Sequence, residues 1–191
     1  MTSDPGGGHG RGEPARTQPA AALGGAAAVG EGPRPSLTLD QIVTTAISIA
    51  DAEGFDALSM RALAAELGMG TMSLYRYVPS KTELLHLMLD AVTAHPEGRR
   101  EHPGGWLETL QASAWGGRDL YLRHRWLLRI NRSRPVLGPN SVADLEWVLA
   151  GIIDLPLTDK EKLDVVTQLD ALVVGAVRQE IHYEEAAAES G

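Results

Sequence analysis

Between Arg61 and Lys81 the chain gathers Arg61, Thr71, Met72, Ser73, Tyr75, Arg76, Tyr77 and Lys81. These are cations, hydroxyls, phenols and one thioether, a set suited to reading nucleic acid rather than to breaking bonds. Thr71 and Ser73 can hydrogen-bond to bases or phosphates, and Met72 can touch a thymine methyl. Arg76 can grip a guanine or a phosphate with two N–H groups, while Tyr75 and Tyr77 can donate to phosphate oxygens. Arg61 and Lys81 are each expected in the first turn of a helix, where free amides and the dipole favour a phosphate. The plainer alternative makes all of these solvated side chains, with the two tyrosines capping a small core.

Other chemistries have less to work with. There is no cysteine, which removes thiolate metal sites, disulfides and cysteine nucleophiles. Of the histidines His86, His95, His102, His124 and His182, only His95 and His102 are close, and Pro and Gly surround them without helical ligand spacing. No metal and no cofactor is expected. Neither a Gly-x-Ser-x-Gly elbow nor a phosphate loop occurs, so the chain is not expected to be an enzyme.

Positioning the eight side chains requires short helices and sharp turns. Thr38-Leu39-Asp40-Gln41 is a capping box, followed by Ile42, Val43, Ala46, Ile49 and Ala50 at helical spacing. Gly54 is placed to end that helix with a left-handed cap. Ser59 is the expected N-cap of a second helix, Ala64 the small residue at a helix crossing, and Gly68 the turn after it. A third helix is expected from about Thr71 to Tyr77, stopped before Pro79. Leu63, Leu67, Leu74 and Val78 would close a three-helix core behind it. Ser80-Lys81-Thr82-Glu83 reads as another capping box, starting a fourth helix that reaches about His95 before Pro96.

Beyond a loop over 96–105, a helical pattern runs from Trp106 to about Arg123, with Gly116-Gly117 as a possible kink point. A short apolar piece covers Trp126 to Ile130. Asn140 or Ser141 would cap a helix through about Ile153. The capping box Thr158-Asp159-Lys160-Glu161 opens a last helix, with Leu163, Val166, Leu169, Leu172 or Val173, and Val177 along one stripe. No strand pattern appears, so the fold class is all-α. The domains read as a Gly/Ala/Pro-rich tail over 1–35, expected to be disordered, a helix-turn-helix unit over 36–95, and a helical unit over 104–191.

Charge runs against a simple nucleic-acid binder. The net charge is −8, and residues 36–90 carry Arg61, Arg76 and Lys81 against seven acids. Binding would then depend on where the cations stand, because only phosphate-facing charges displace counterions. This balance motivates a second reading, a helical small-molecule- or partner-binding protein with lost or weak DNA binding. Arg118, Arg123, Arg125, Arg129, Arg132 and Arg134 form a basic run that reads as charge complement to the acidic 140–191 region. Trp106, Trp115, Tyr121, Trp126 and Trp147 are candidate walls of an apolar effector pocket, or plain core. No apolar run is long enough for a membrane span and no signal peptide is evident, so a cytoplasmic protein is expected.

Residues 39–90 resemble the DNA-binding domain of the TetR family of transcriptional repressors. The resemblance rests on Gly54-Phe55, Leu63-Ala64-Ala65-Glu66-Leu67-Gly68, Leu74-Tyr75-Arg76-Tyr77-Val78 and Ser80-Lys81-Thr82-Glu83-Leu84-Leu85. It implies a ligand-responsive repressor, a homodimer on a near-palindromic double-stranded operator, released by a small-molecule effector. It marks Arg61, Thr71, Met72, Ser73, Tyr75, Arg76, Tyr77 and Lys81 as operator contacts. Gly70 stands where many members carry a Ser or Thr cap. Trp126-Leu127-Leu128 and Gly138-Pro139-Asn140 are similar to the ligand-binding domain of an actinobacterial subgroup. That similarity implies two more helices after about Glu185, so the dimerisation region is expected to be abbreviated at Gly191.

Overall fold

The computed structural model describes residues 37–94, 104–130 and 138–190. The expected disordered tail over 1–35 lies outside them, as do His95, His102, Arg132 and Arg134. Among the described residues every regular element is helical: α1 (Leu39–Glu53), α2 (Met60–Glu66), α3 (Thr71–Leu74), α4 (Lys81–Val92), α5 (Trp106–Arg123), a short 3-10 helix (Arg125–Arg129), α6 (Pro139–Gly151) and α7 (Asp159–Glu189). No helix among them is long and apolar enough to cross a membrane.

Local signals account for most helix starts. Thr38 and Gln41 form both halves of the capping box on α1, and Ser59 accepts from the Ala62 amide at 3.1 Å. At α4 only half of the expected box forms, with Ser80 accepting from the Glu83 amide at 3.0 Å. Gly54 has the expected positive φ of 85°, but its ψ of 162° is extended rather than left-handed helical. The chain therefore leaves α1 in a conformation essentially reserved for glycine. Gly68, at φ 65°, provides the turn between α2 and α3.

The first three helices bury Ile42, Val43, Ala46, Ala50, Leu58, Leu63, Ala64, Leu74 and Val78. Leu84 and Met88 of α4 join them. The same core continues through Trp126 and Leu127 of the 3-10 helix to Tyr121 on α5 and Val173 and Val177 on α7. The glycine pair in α5 does not break that helix. A Cβ at Gly117 would stand 3.6 Å from Val173 Cγ1, so packing on α7 outweighs the low helix propensity.

Two expectations are corrected. Leu163 of the predicted α7 stripe is exposed and Lys162 beside it is buried, while of the alternatives Leu172 and Val173 it is Val173 that is buried, with Val177. The Lys162 ammonium instead donates to the Ile153 carbonyl at 2.8 Å, tying the start of α7 to the turn after α6. The N-cap of α6 is Gly138, with Pro139 at the first helical position, rather than Asn140 or Ser141. The missing cap comes from α4. Asp90 Oδ1 accepts from the amides of Asn140 at 2.9 Å and Ser141 at 3.0 Å, and Oδ2 from Asn140 Nδ2 at 3.0 Å.

Thr158 and Glu161 complete the box on α7: the Thr158 amide and hydroxyl donate to Glu161 Oε2 at 2.8 and 2.7 Å. The backbone hydrogen bond, then the hydroxyl, lowers the Glu161 carboxyl below its ordinary value. A depressed pKa stabilises the fold above the unfolded value, and that contribution fades as pH falls through the folded one. Thr158→Ala is therefore expected to destabilise at neutral pH and to matter progressively less as acid protonates Glu161. Urea unfolding of both proteins across that pH range would check it.

Candidate nucleic-acid interface

The outward-facing segment is built on very little helix. Only four residues, Thr71–Leu74, are helical in α3, and a turn carries the chain through Tyr77. The expected helix to Tyr77 is thus shorter. Leu74 and Val78 are fully buried and fasten this segment from behind, four residues apart and on one side. Their burial turns the others outward. Met72 is 79% exposed, Ser73 and Arg76 are exposed, and Thr71 is half-buried. Tyr75 and Tyr77 lie half out, at 40% and 44%, so they lean on the core and still present hydroxyls. Gly70 caps α3 without a side-chain hydrogen bond.

Arg61 is exposed in the first turn of α2. Lys81 connects that end of α2 to the start of α4. Its ammonium donates to the Leu58 carbonyl at 2.5 Å and lies 4.7 Å above the Phe55 ring centroid. An ammonium has three donors, so Lys81 keeps N–H groups for a phosphate while one is spent on the fold. The start of α4 is thereby pinned beside the residues leading into Arg61. All eight predicted residues fall on α2, α3, the turn after it and the first turn of α4.

The aromatic set does not share one environment. Trp106 and Trp115 are exposed, at 49% and 65%, and Trp147 is partly buried. Tyr121 is buried, and its hydroxyl donates to Asp170 Oδ1 at 2.5 Å. Trp126 is buried against the first helices: its Nε1 donates to Asp51 Oδ1 at 2.7 Å and its ring stacks on Phe55, centroids 6.4 Å apart. Of the five, only Trp126 lines the cleft of about 320 Å³ between the end of α1, the end of α5 and the 3-10 helix.

Sequence reasoning missed Asp51 and Asp90. Asp51 lies in the last turn of α1, where a carboxylate opposes the helix dipole. That mismatch was the available signal. Trp126 and His124, the latter 2.9 Å from Asp51, offset it. The signal for Asp90 was a Gly-Pro helix start with no local capping side chain. Two of the basic run's arginines pair with the acidic 140–191 region as expected, Arg118 with Glu180 and Arg125 with Glu184 at 2.7 Å, whereas Arg129 pairs with Asp56, ahead of α2, at 3.1 Å. Among the described residues no group of three or more His, Asp or Glu is arranged to hold a metal.

Residues 42–88 match the family described as bacterial regulatory proteins, tetR family. Residues 99–190 match the tetracyclin repressor-like C-terminal domain. A solved structure of the Streptomyces coelicolor TetR family protein ActR, in complex with (S)-DNPA, is 38% identical. It superposes with a TM-score of 0.68, covering 75% of this chain and 71% of that one. The chain belongs to the TetR family. An HTH-type transcriptional repressor of Streptomyces coeruleorubidus is 50% identical over 161 residues, 84% of this TetR-family chain and 60% of the relative. An HTH-type transcriptional regulator of Saccharopolyspora erythraea is 32% identical, over 82% of this chain and 68% of its own length. ActR has also been solved with actinorhodin, at a TM-score of 0.67. The chain thus spans less than two thirds of the length of the Streptomyces coeruleorubidus repressor.

Proposed function

We propose that this TetR-family protein is a ligand-responsive transcriptional repressor that binds a near-palindromic operator as a homodimer. The observation that carries the reading is the short outward-facing segment Thr71–Tyr77, anchored by the buried Leu74 and Val78. A helix-turn-helix brings such a segment to base edges in the major groove. In this reading Thr71, Met72, Ser73 and Arg76 meet bases, and Arg61, Tyr75, Tyr77 and Lys81 meet phosphates. Residues 36–95 form the reading unit and 104–191 the effector and dimerisation unit.

A small organic effector is proposed to enter the α5–α7 layer, where Trp106, Trp115, Tyr121 and Trp147 stand. Trp126 contributes from the boundary with the first helices. ActR, solved with two different small molecules, is the precedent. An effector that favours one arrangement of α6 shifts α4 through the Asp90 cap, changing the separation of the two reading segments. Differential affinity for the two arrangements is all that this requires.

The test is a footprint of the purified protein on DNA flanking its own gene, comparing wild type with Arg76→Ala. A protected, roughly two-fold symmetric site is expected. Arg76→Ala should cost about 1–3 kcal/mol at that site and relax base preference at the position it reads. Absence of any protected site, or unchanged affinity of the variant, would remove the reading.

A further inference from the structure

We propose that the 3-10 helix controls DNA affinity through a route that does not run through α4's contact with α6: Trp126, held by Asp51, sets Phe55, and Phe55 sets Lys81. The proposal rests on reading Lys81 as a phosphate contact.

The observations form a continuous chain of contacts. Asp51, on the last turn of α1, accepts from Trp126 Nε1 at 2.7 Å. Both of its oxygens also lie near His124 Nδ1, at 2.9 and 3.0 Å. His124 and Trp126 flank the junction between α5 and the 3-10 helix, so one carboxylate fixes that junction to the reading unit. The Trp126 ring, buried to 2% exposure, stacks on Phe55 with an interplanar angle of 17°. The Lys81 ammonium also lies over Phe55, 4.7 Å from its centroid. Phe55 follows Gly54, whose φ of 85° fixes how the chain leaves α1.

Each link restricts the next. Lys81 opens α4, and the direction of its ammonium is set by the Leu58 carbonyl and by the ring face. A ring that tilts or slides carries away one of these two supports. Lys81 then regains rotamer freedom that it must surrender again when it meets a phosphate. A displacement of the 3-10 helix therefore weakens a phosphate contact even if α4 keeps its place. Asp51, Phe55 and Trp126 are positioning residues that need not touch DNA.

The experiment measures binding of the full chain to a labelled mixed-sequence duplex by anisotropy across a salt series. Four proteins are compared: wild type, Lys81→Ala, Trp126→Phe and the double variant. Phenylalanine keeps a ring beside Phe55 and loses the bond to Asp51. Trp126→Phe is expected to weaken binding about two- to fivefold, the scale of a lost exposed cation–π contact. It should also lower the salt slope in the direction that Lys81→Ala does. In the Lys81→Ala background the substitution should have no further effect. A merely structural loss would leave the slope intact.

Independent, multiplying effects with an unchanged slope would overturn the proposal while leaving the phosphate role of Lys81 standing. An unchanged affinity and slope for Lys81→Ala would overturn both. Asp51→Ala repeats the test by removing the same bond while leaving the Trp126 ring in place, so that poor folding of the Trp126 variant cannot decide the result.

Discussion

Replacing Leu74 by alanine is expected to cost about 2–5 kcal/mol of stability and to abolish DNA binding. The helix that carries it has four residues, and Leu74 is the only buried one among them. So short a helix has no stability of its own, because nucleation is costly and few hydrogen bonds repay it. Its place is set by the Leu74 side chain, with Val78 behind the following turn. Removing three heavy atoms at a fully buried site leaves a cavity in the core to which Leu63 and Ala64 also belong. Met72→Ala is the contrasting case. At 79% exposure it should change stability by less than about 0.5 kcal/mol, so any loss of DNA affinity would report the contact itself. Guanidinium unfolding beside anisotropy on both variants separates the two causes. A Leu74→Ala protein of wild-type stability would contradict the anchoring role.

A single methyl group at Gly138 is expected to act at a distance through α4. A Cβ built there would stand 2.2 Å from Asp90 Cγ and 2.6 Å from its Cβ. The backbone at Gly138, with φ −81°, suits any residue, so the conflict is purely steric. Asp90 cannot yield cheaply, because its carboxylate is fastened to the Asn140 and Ser141 amides and to Asn140 Nδ2. Gly138→Ala must therefore break the cap, at about 1–3 kcal/mol for charge-assisted bonds of this kind. Asp90→Ala removes the same bonds directly. The double variant is expected to lose less than the sum of the singles, since both disable one contact. Hydrogen exchange at the Asn140 and Ser141 amides should accelerate in each. Unaltered exchange in Gly138→Ala would show that α6 is capped without Asp90.

Much of the reading unit was legible because its signals are local. Thr38, Ser59 and Ser80 announce helix starts by bonding to amides within three residues. Gly68 marks a turn that needs positive φ, and the spacing of Ile42, Val43, Ala46 and Ala50 marks a buried face. Elsewhere sequence distance hid the cause. The helix from Pro139 takes its cap from a residue fifty positions earlier, so neither Asn140 nor Ser141 serves as a local cap. Leu163 and Leu172 are as apolar as Val173 and Val177, yet only the latter pair are buried, where α7 meets the rest of the core.

By itself the sequence determined the all-α class and the helix-turn-helix, and it singled out the eight side chains proposed to meet DNA, because helix periodicity, caps and turns are properties of neighbouring residues. Only the tertiary structure decided how the reading unit is held. Asp90 clasps α6, Asp51 clasps the 3-10 helix, and Lys81 is shared between the Leu58 carbonyl and the Phe55 ring. Each of these joins residues many positions apart, and a carboxylate or an ammonium can choose its partner only once packing has brought the candidates within hydrogen-bonding reach.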